Sequence, residues 1–273
     1  MNKMLVGPYA VLMTPFKNNE VDYEAYAKQV ERLMDTDVSG FMVNGSTAEY
    51  VALSYEEEEK IAKLVYKING GKKKIILGAC TANVYDSYKR CLLAKEIGAE
   101  GVLVCPLYYF KYSAKEKEEF YTKLADASPV PVVLYNVPFF TQELELDVIY
   151  NLAKHPNIIG IKDSSANIKR MMHMANKIGG DNFKVLTGTD DILYSALFGG
   201  CVGSMTALAT IFPNEICGIY KAFNEKDYET ANKIQQSLKE SLRVADSYTF
   251  PVGYKKLMQD VSGIPFGNKG DVL

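Results

Sequence analysis

Apolar runs of strand length recur from one end of the chain to the other. They begin with "YAVLM" from Tyr9, "GFMVNG" from Gly40, "KIILGAC" from Lys74 and "GVLVCP" from Gly101. "PVVLYNVP" from Pro131, "IIGIK" from Ile158, "KVLTGTD" from Lys184 and "CVGSM" from Cys201 complete the set. Consecutive rather than alternating apolar residues mark strands covered on both faces, as in a parallel sheet. Helical spacing fills the intervals: Tyr26, Val30, Leu33 and Met34 share one face, as do Ile61, Leu64, Val65 and Ile68. "SYEE" from Ser54 and "SAKE" from Ser113 are capping boxes and predict helix starts.

Eight strand–helix units imply an α/β fold, a (β/α)8 TIM barrel, over residues 1–224. A doubly wound sheet would carry a glycine-rich GxGxxG turn after its first strand, where this chain reads "TPFKNNE". Beyond residue 224 the strand signal stops. Ala231, Ile234, Leu238, Leu242 and Ala245 form a helical stripe, and a second helix is expected from Val252 to Val261. Residues 225–273 therefore read as a helical appendage, packed on the barrel or on a partner subunit, with a frayed tail "GNKGDVL".

Composition removes several classes of function. With 31 basic and 33 acidic residues the net charge is −2, which suits neither a nucleic-acid nor a membrane surface. No long apolar span or leader is evident, so a cytoplasmic location is expected. Cys80, Cys91, Cys105, Cys201 and Cys217 include no CxxC pair and read as reduced thiols. His155 and His173 lie at no metal-ligand spacing with them, so no metal is expected.

Chemistry in a barrel collects at the C-terminal ends of the strands. Here those ends carry "NGSTAE" (44–49), "CPLYY" (105–109), "YNVP" (135–138), Lys162, and "GTDD" (188–191). Lys162 is the unusual member. It follows "IIGI" directly, whereas most other lysines fit solvated helix faces. Confinement favours neutral amines, which attack carbonyls, and a neighbouring phenol can carry protons to and from the carbinolamine. Each element also has a plainer structural reading: Asp163 as an ion partner, "GSTAE" as a local turn, Tyr135 as a core aromatic. Their joint occurrence at five strand ends favours the chemical one.

In that order, "GSTAE", "PLYY", "LYNVP" and "GIKDSS" resemble the pyruvate-dependent class I aldolases. That family groups dihydrodipicolinate synthase, N-acetylneuraminate lyase and the 2-keto-3-deoxy sugar-acid aldolases. The resemblance runs from "GPYAVLMTPF" to about Pro213. It implies that Lys162 forms the imine with pyruvate and that Tyr135 relays protons, positioned by Thr47 and by Tyr108, the latter supplied by a neighbouring subunit. Ser46 and Thr47 would hold the pyruvate carboxylate, and the main-chain carbonyl near Met205 would face the site. No cofactor is implied beyond the covalent Schiff base, because the protonated imine is itself the electron sink. The family is commonly a homotetramer, a dimer of dimers.

Departures from the family pattern bear on the second substrate. Dihydrodipicolinate synthases usually read Tyr-Asn-Val-Pro-x-Arg-Thr-Gly after the relay tyrosine. This chain has Phe140 at the arginine's place and Gln142 at the glycine's, and Phe139 and Phe140 make an apolar wall. "GST", the small change at Ala48 and "GTDDI" lean toward the lyases, with Gly188, Asp190, Asp191 and Ser164 set to meet a hydroxylated tail. The first expectation is thus reversible aldol cleavage of a 2-keto-3-deoxy sugar acid such as N-acetylneuraminate or 2-keto-3-deoxygluconate. The alternative is condensation of pyruvate with aspartate semialdehyde in lysine biosynthesis, and the non-enzymatic one a pyruvate-binding sensor or scaffold.

Overall fold

The computed structural model describes residues 5–269. Its strands in chain order are β1 (Gly7–Val11), the hairpin pair β2 (Phe16–Lys17) and β3 (Glu20–Val21), and β4 (Gly40–Val43). They continue with β5 (Lys74–Gly78), β6 (Gly101–Val104), β7 (Val132–Asn136), β8 (Ile158–Asp163), β9 (Lys184–Thr187) and β10 (Gly203–Thr206). All but the hairpin form a closed barrel in the order β1, β10, β9, β8, β7, β6, β5, β4, the (β/α)8 architecture expected from the apolar runs. Each run overlaps its strand. Contacts divide the chain into two bodies, one ending at Gly7 and resuming over Ile75–Met205, the other spanning Pro8–Lys74 and Thr206 onward.

In the first body, helices α3 (Val84–Glu96), α4 (Ala114–Ala127), α5 (Leu146–Leu152), α6 (Ile168–Ile178) and α7 (Leu193–Phe198) alternate with the strands. Ser113 caps α4 with the expected reciprocal box on Glu116. Strand β7 is buried along its whole length and β8 nearly so, which explains the absence of polar alternation in their sequences. Burial pushes the Cys201 thiol up to about 12, outside the range in which a thiolate is reactive at neutral pH.

In the second body, β1 pairs with β4 in parallel, Tyr9 opposite Gly40. Helices α1 (Tyr23–Met34) and α2 (Tyr55–Asn69) bury the faces expected of them, Tyr26, Val30 and Leu33 on one and Ile61 and Val65 on the other. Ser54 closes its capping box with Glu57. The β2–β3 hairpin turns on Asn18 and Asn19, both left-handed (φ 52° and 64°) as a tight primed turn requires. Helices α8 (Leu208–Ile211) and α9 (Pro213–Asn224) precede the C-terminal set.

That set differs from expectation in two respects. The stripe from Ala231 to Ala245 is divided between α10 (Tyr228–Ser237) and α11 (Lys239–Asp246). At Leu238 the backbone tightens to an i→i+3 hydrogen bond on Gln235 while the side chain stays buried. After α12 (Val252–Ser262) the tail is held rather than frayed: Gly267 bridges Phe16, and Lys269 donates to Ala52 O at 2.5 Å and to Glu57 Oε2 at 3.1 Å. Residues 270–273 of that tail lie outside the described residues. No helix among the described residues is long and apolar enough to cross a membrane.

Candidate active site

Strands β7 and β8 pair with Tyr135 opposite Lys162 and Asn136 opposite Asp163. Successive side chains of a strand point to opposite faces, so lysine and tyrosine share one face and Asp163 and Asn136 the other. Lys162 Nζ lies 4.4 Å from the centre of the Tyr135 ring. Both side chains are almost sealed, at 5% and 4% exposure. Gly188, just past β9, makes room for the lysine. A Cβ there would stand 2.5 Å from Lys162 Cε and would also collide with the Ser164 hydroxyl.

Two lysines are exceptions to the solvated faces expected of most of the others: Lys117 and Lys255 are also buried. A buried ammonium needs a counter-charge, and both have one. Lys117 meets Glu145 at 2.7 Å and the Glu143 carbonyl at 2.9 Å; Lys255 meets Glu49. Lys162 differs: no carboxylate among the described residues lies within ion-pair distance of it.

The opposite face of the same strands carries an ionic network. Asp163 accepts from Arg170 Nε and from Asn136 Nδ2, both at 3.0 Å, and from the backbone of Ser165 at 2.8 Å. Arg170 continues to Glu143 at 2.6 Å and to the Leu144 carbonyl, and Asn136 accepts from Leu144 N at 3.0 Å. Beyond the strands, Ser164 N donates to Asn136 O and Gly188 N to Asp163 O, each at 2.8 Å. The residues following the lysine and the tyrosine are thereby fixed against one another.

Asp190 opens the one-turn helix Asp190–Ile192 and is buried, whereas Asp191 is exposed, so the two carboxylates do not share an environment. Ser164 Oγ, Thr189 Oγ1 and Ser204 Oγ are buried with no protein hydrogen-bond partner. Such hydroxyls call for an explanation, commonly a water or a ligand. Ser204 had not been singled out; it precedes the buried Met205 on β10, opposite Thr187, and the "GS" of the last apolar run was the available signal.

Past β6, Tyr108 is half-buried while Tyr109 is 90% exposed with a left-handed backbone (φ 80°). That conformation is strained for an aromatic residue. Gln142 spans from the loop after β7 to this segment, accepting from Tyr112 N at 3.0 Å and donating to Phe110 O at 2.9 Å. Phe139 and Phe140 are 71% and 54% exposed. Each of the chain's arginines is engaged. Arg32 binds the carbonyls of Thr210 and Ile211, Arg90 that of Asp86, Arg170 the network above, and Arg243 Glu240.

In the second body, the turn after β4 holds Ser46 and Thr47 in the short helix Ser46–Ala48. Thr47 is buried and Ser46 partly so. The residues on either side, Asn44 (φ 58°) and Glu49 (φ 56°), are both left-handed. Among the described residues no three His, Cys, Asp or Glu side chains form a group that could hold a metal.

Residues 4–268 match the family model of the dihydrodipicolinate synthetase family. A 4-hydroxy-tetrahydrodipicolinate synthase of Staphylococcus carnosus is 33% identical over 244 residues, covering 87% of this chain and 83% of that protein. Among solved structures, a 2-keto-3-deoxygluconate aldolase from Picrophilus torridus superposes with a TM-score of 0.91 at 25% identity, covering 97% of this chain and 96% of its own. A prophage protein of E. coli K12 in the dihydrodipicolinic acid synthase family, solved in complex with pyruvate, gives 0.90 at 26% identity, covering 97% and 90%.

Proposed function

The chain belongs to the dihydrodipicolinate synthetase family, a family of carbon–carbon lyases and aldolases, and on that premise we propose that it activates pyruvate as a Schiff base on Lys162. The observation that carries the reading is a buried lysine with no counter-ion among the described residues, set against the ring of Tyr135 on an in-register neighbouring strand. The amine attacks the ketone of pyruvate, and Tyr135 moves the proton that lets water leave the carbinolamine. Loss of a methyl proton from the protonated imine gives the enamine, which adds to an aldehyde; cleavage is the reverse. Ser46 and Thr47 hold the pyruvate carboxylate through hydroxyl and backbone donors. Tyr108, supplied by a second copy within a dimer of dimers, completes the relay with Thr47. No cofactor beyond the covalent imine is called for.

For the second substrate, the relatives' name weighs toward condensation with aspartate semialdehyde, ahead of the sugar-acid cleavage that the sequence put first. One observation keeps the second reading in play. With Phe139 and Phe140 in the loop after β7 and all four arginines engaged elsewhere, no guanidinium of this chain is free to meet an acidic aldehyde. A neutral, hydroxylated acceptor as released from 2-keto-3-deoxygluconate meets that condition, and the unpartnered hydroxyls of Ser164, Thr189 and Ser204 suit it.

The deciding experiment is borohydride reduction in the presence of pyruvate, followed by peptide mass mapping. Pyruvate is then offered with aspartate semialdehyde, and in a separate arm its release is measured from N-acetylneuraminate and 2-keto-3-deoxygluconate. A reduced adduct on Lys162 with semialdehyde turnover supports the synthase. An adduct with turnover of a deoxy sugar acid alone selects the second reading, and no adduct on Lys162 overturns both.

A further inference from the structure

The turn proposed to grip the pyruvate carboxylate is bounded by two residues in an unfavourable backbone conformation. Left-handed geometry is disfavoured for residues with a Cβ, less for Asn than for Glu, and each of the two has its side chain tied down. At Asn44 the side-chain amide donates to Glu58 O of α2 at 3.1 Å. At Glu49 the hold comes from much further along the chain, from Lys255 of α12, whose ammonium pairs with the Glu49 carboxylate. Lys255 is 1% exposed, donates to Gly267 O at 3.0 Å and lies 4.6 Å from the centre of the Phe16 ring. Gly267 in turn bridges Phe16, and Lys269 grips Ala52 O and Glu57 downstream of the turn.

This is more than packing economy requires. A charge pair shut from water is seldom better for stability than well-packed apolar side chains, so it is weak evidence for stability alone. Its geometry is informative: the acid is the last residue of the turn, and the base sits in the C-terminal helices, which contribute no other group to the proposed chemistry.

We propose that Lys255 is a positioning residue for pyruvate binding: through Glu49 it fixes the Ser46–Thr47 turn, and so links the C-terminal helices to the carboxylate site. The proposal rests on the reading of Ser46 and Thr47 given above. It predicts that loss of the pair weakens pyruvate capture far more than it slows the bound intermediate.

The experiment measures the pyruvate concentration that half-saturates the borohydride-trapped adduct, together with turnover at saturating pyruvate, in Lys255→Met, Glu49→Gln, the double variant and Lys269→Met. Thermal midpoints confirm folding. Lys255→Met and Glu49→Gln should each raise half-saturation about tenfold with turnover at saturation within about threefold. The double variant should be no worse than either single one, because both remove the same interaction. Lys269→Met, which loosens the tail without touching Glu49, should stay within about twofold of wild type. Unchanged half-saturation in folded Lys255→Met or Glu49→Gln, or effects that multiply in the double variant, would overturn the proposal. If Lys255→Met does not fold, Glu49→Gln decides alone. No adduct in the wild type would remove the functional reading and this proposal together; a wild-type adduct with insensitive variants removes this proposal only.

Discussion

Lys162 and Lys255 are both lysines whose heads are shut away from water, and their surroundings differ in kind. Lys255 has a carboxylate, a backbone carbonyl and an aromatic face around it. Lys162 has the face of Tyr135 and, among the described residues, no acid within ion-pair distance. A buried ammonium that is neutralised is a tie between two pieces of chain. One left without a counter-ion, beside a phenol, is what the proposed Schiff-base chemistry needs. Burial by itself therefore does not single out Lys162; burial without a paired acid does.

The comparison breaks most sharply by exchange of roles. Lys162→Ala should lower turnover by at least about a thousandfold and abolish borohydride trapping, with the far-ultraviolet spectrum and melting temperature close to wild type. Retained turnover would end the Schiff-base mechanism.

Next in size is the relay. Tyr108 is the relay tyrosine that the resemblance implies, and its strained and exposed neighbour is Tyr109. Assayed in parallel, Tyr108→Phe should lose about a hundredfold in turnover while still forming the adduct. Tyr109→Phe should stay near wild type.

The compensated lysine sharpens the contrast through pH. Burial holds the Lys255 ammonium below its ordinary value of 10.5, and the pair with Glu49 pulls it part of the way back. Between the folded-state value and 10.5 the unfolded chain binds more protons than the folded one, so stability rises with pH in that window. Lys255→Met removes this slope. Urea midpoints measured upward from neutral pH should show the wild type gaining on the variant only on the alkaline side.

The smallest effect is expected at Gln142. Gln142→Gly frees the 110–112 segment from two hydrogen bonds and should cost about 1–3 kcal/mol of local stability. Faster amide exchange at Tyr112 would register it, with the Lys162 adduct unaffected.

Much of this was legible in the chain because it depends on local rules. Consecutive apolar residues gave every barrel strand, the Ser54 and Ser113 boxes gave two helix starts, and Lys162 stood out because four apolar or small residues precede it. Other features depend on partners distant in sequence. In "YKK" nothing distinguishes Lys255, with its counter-ion in a turn near residue 49, from the exposed Lys256. The left-handed backbone of Tyr109 could not be read from its neighbours in the chain. Gln142 could be seen only as a departure from a pattern, because its partners are main-chain atoms. Asp190 and Asp191 read as a pair, but a helical turn buries one and exposes the next.

The Asp163–Asn136–Arg170 network bears on how such an enzyme changes over evolutionary time. A slip of one residue between β7 and β8 would exchange Tyr135 for Asn136 opposite Lys162, and the network on the helix side forbids it. The register that sets Tyr135 opposite Lys162 is thus guarded by residues on the other face of the two strands. The loop after β7, where Phe139 and Phe140 stand exposed, can then change its side chains without disturbing that register.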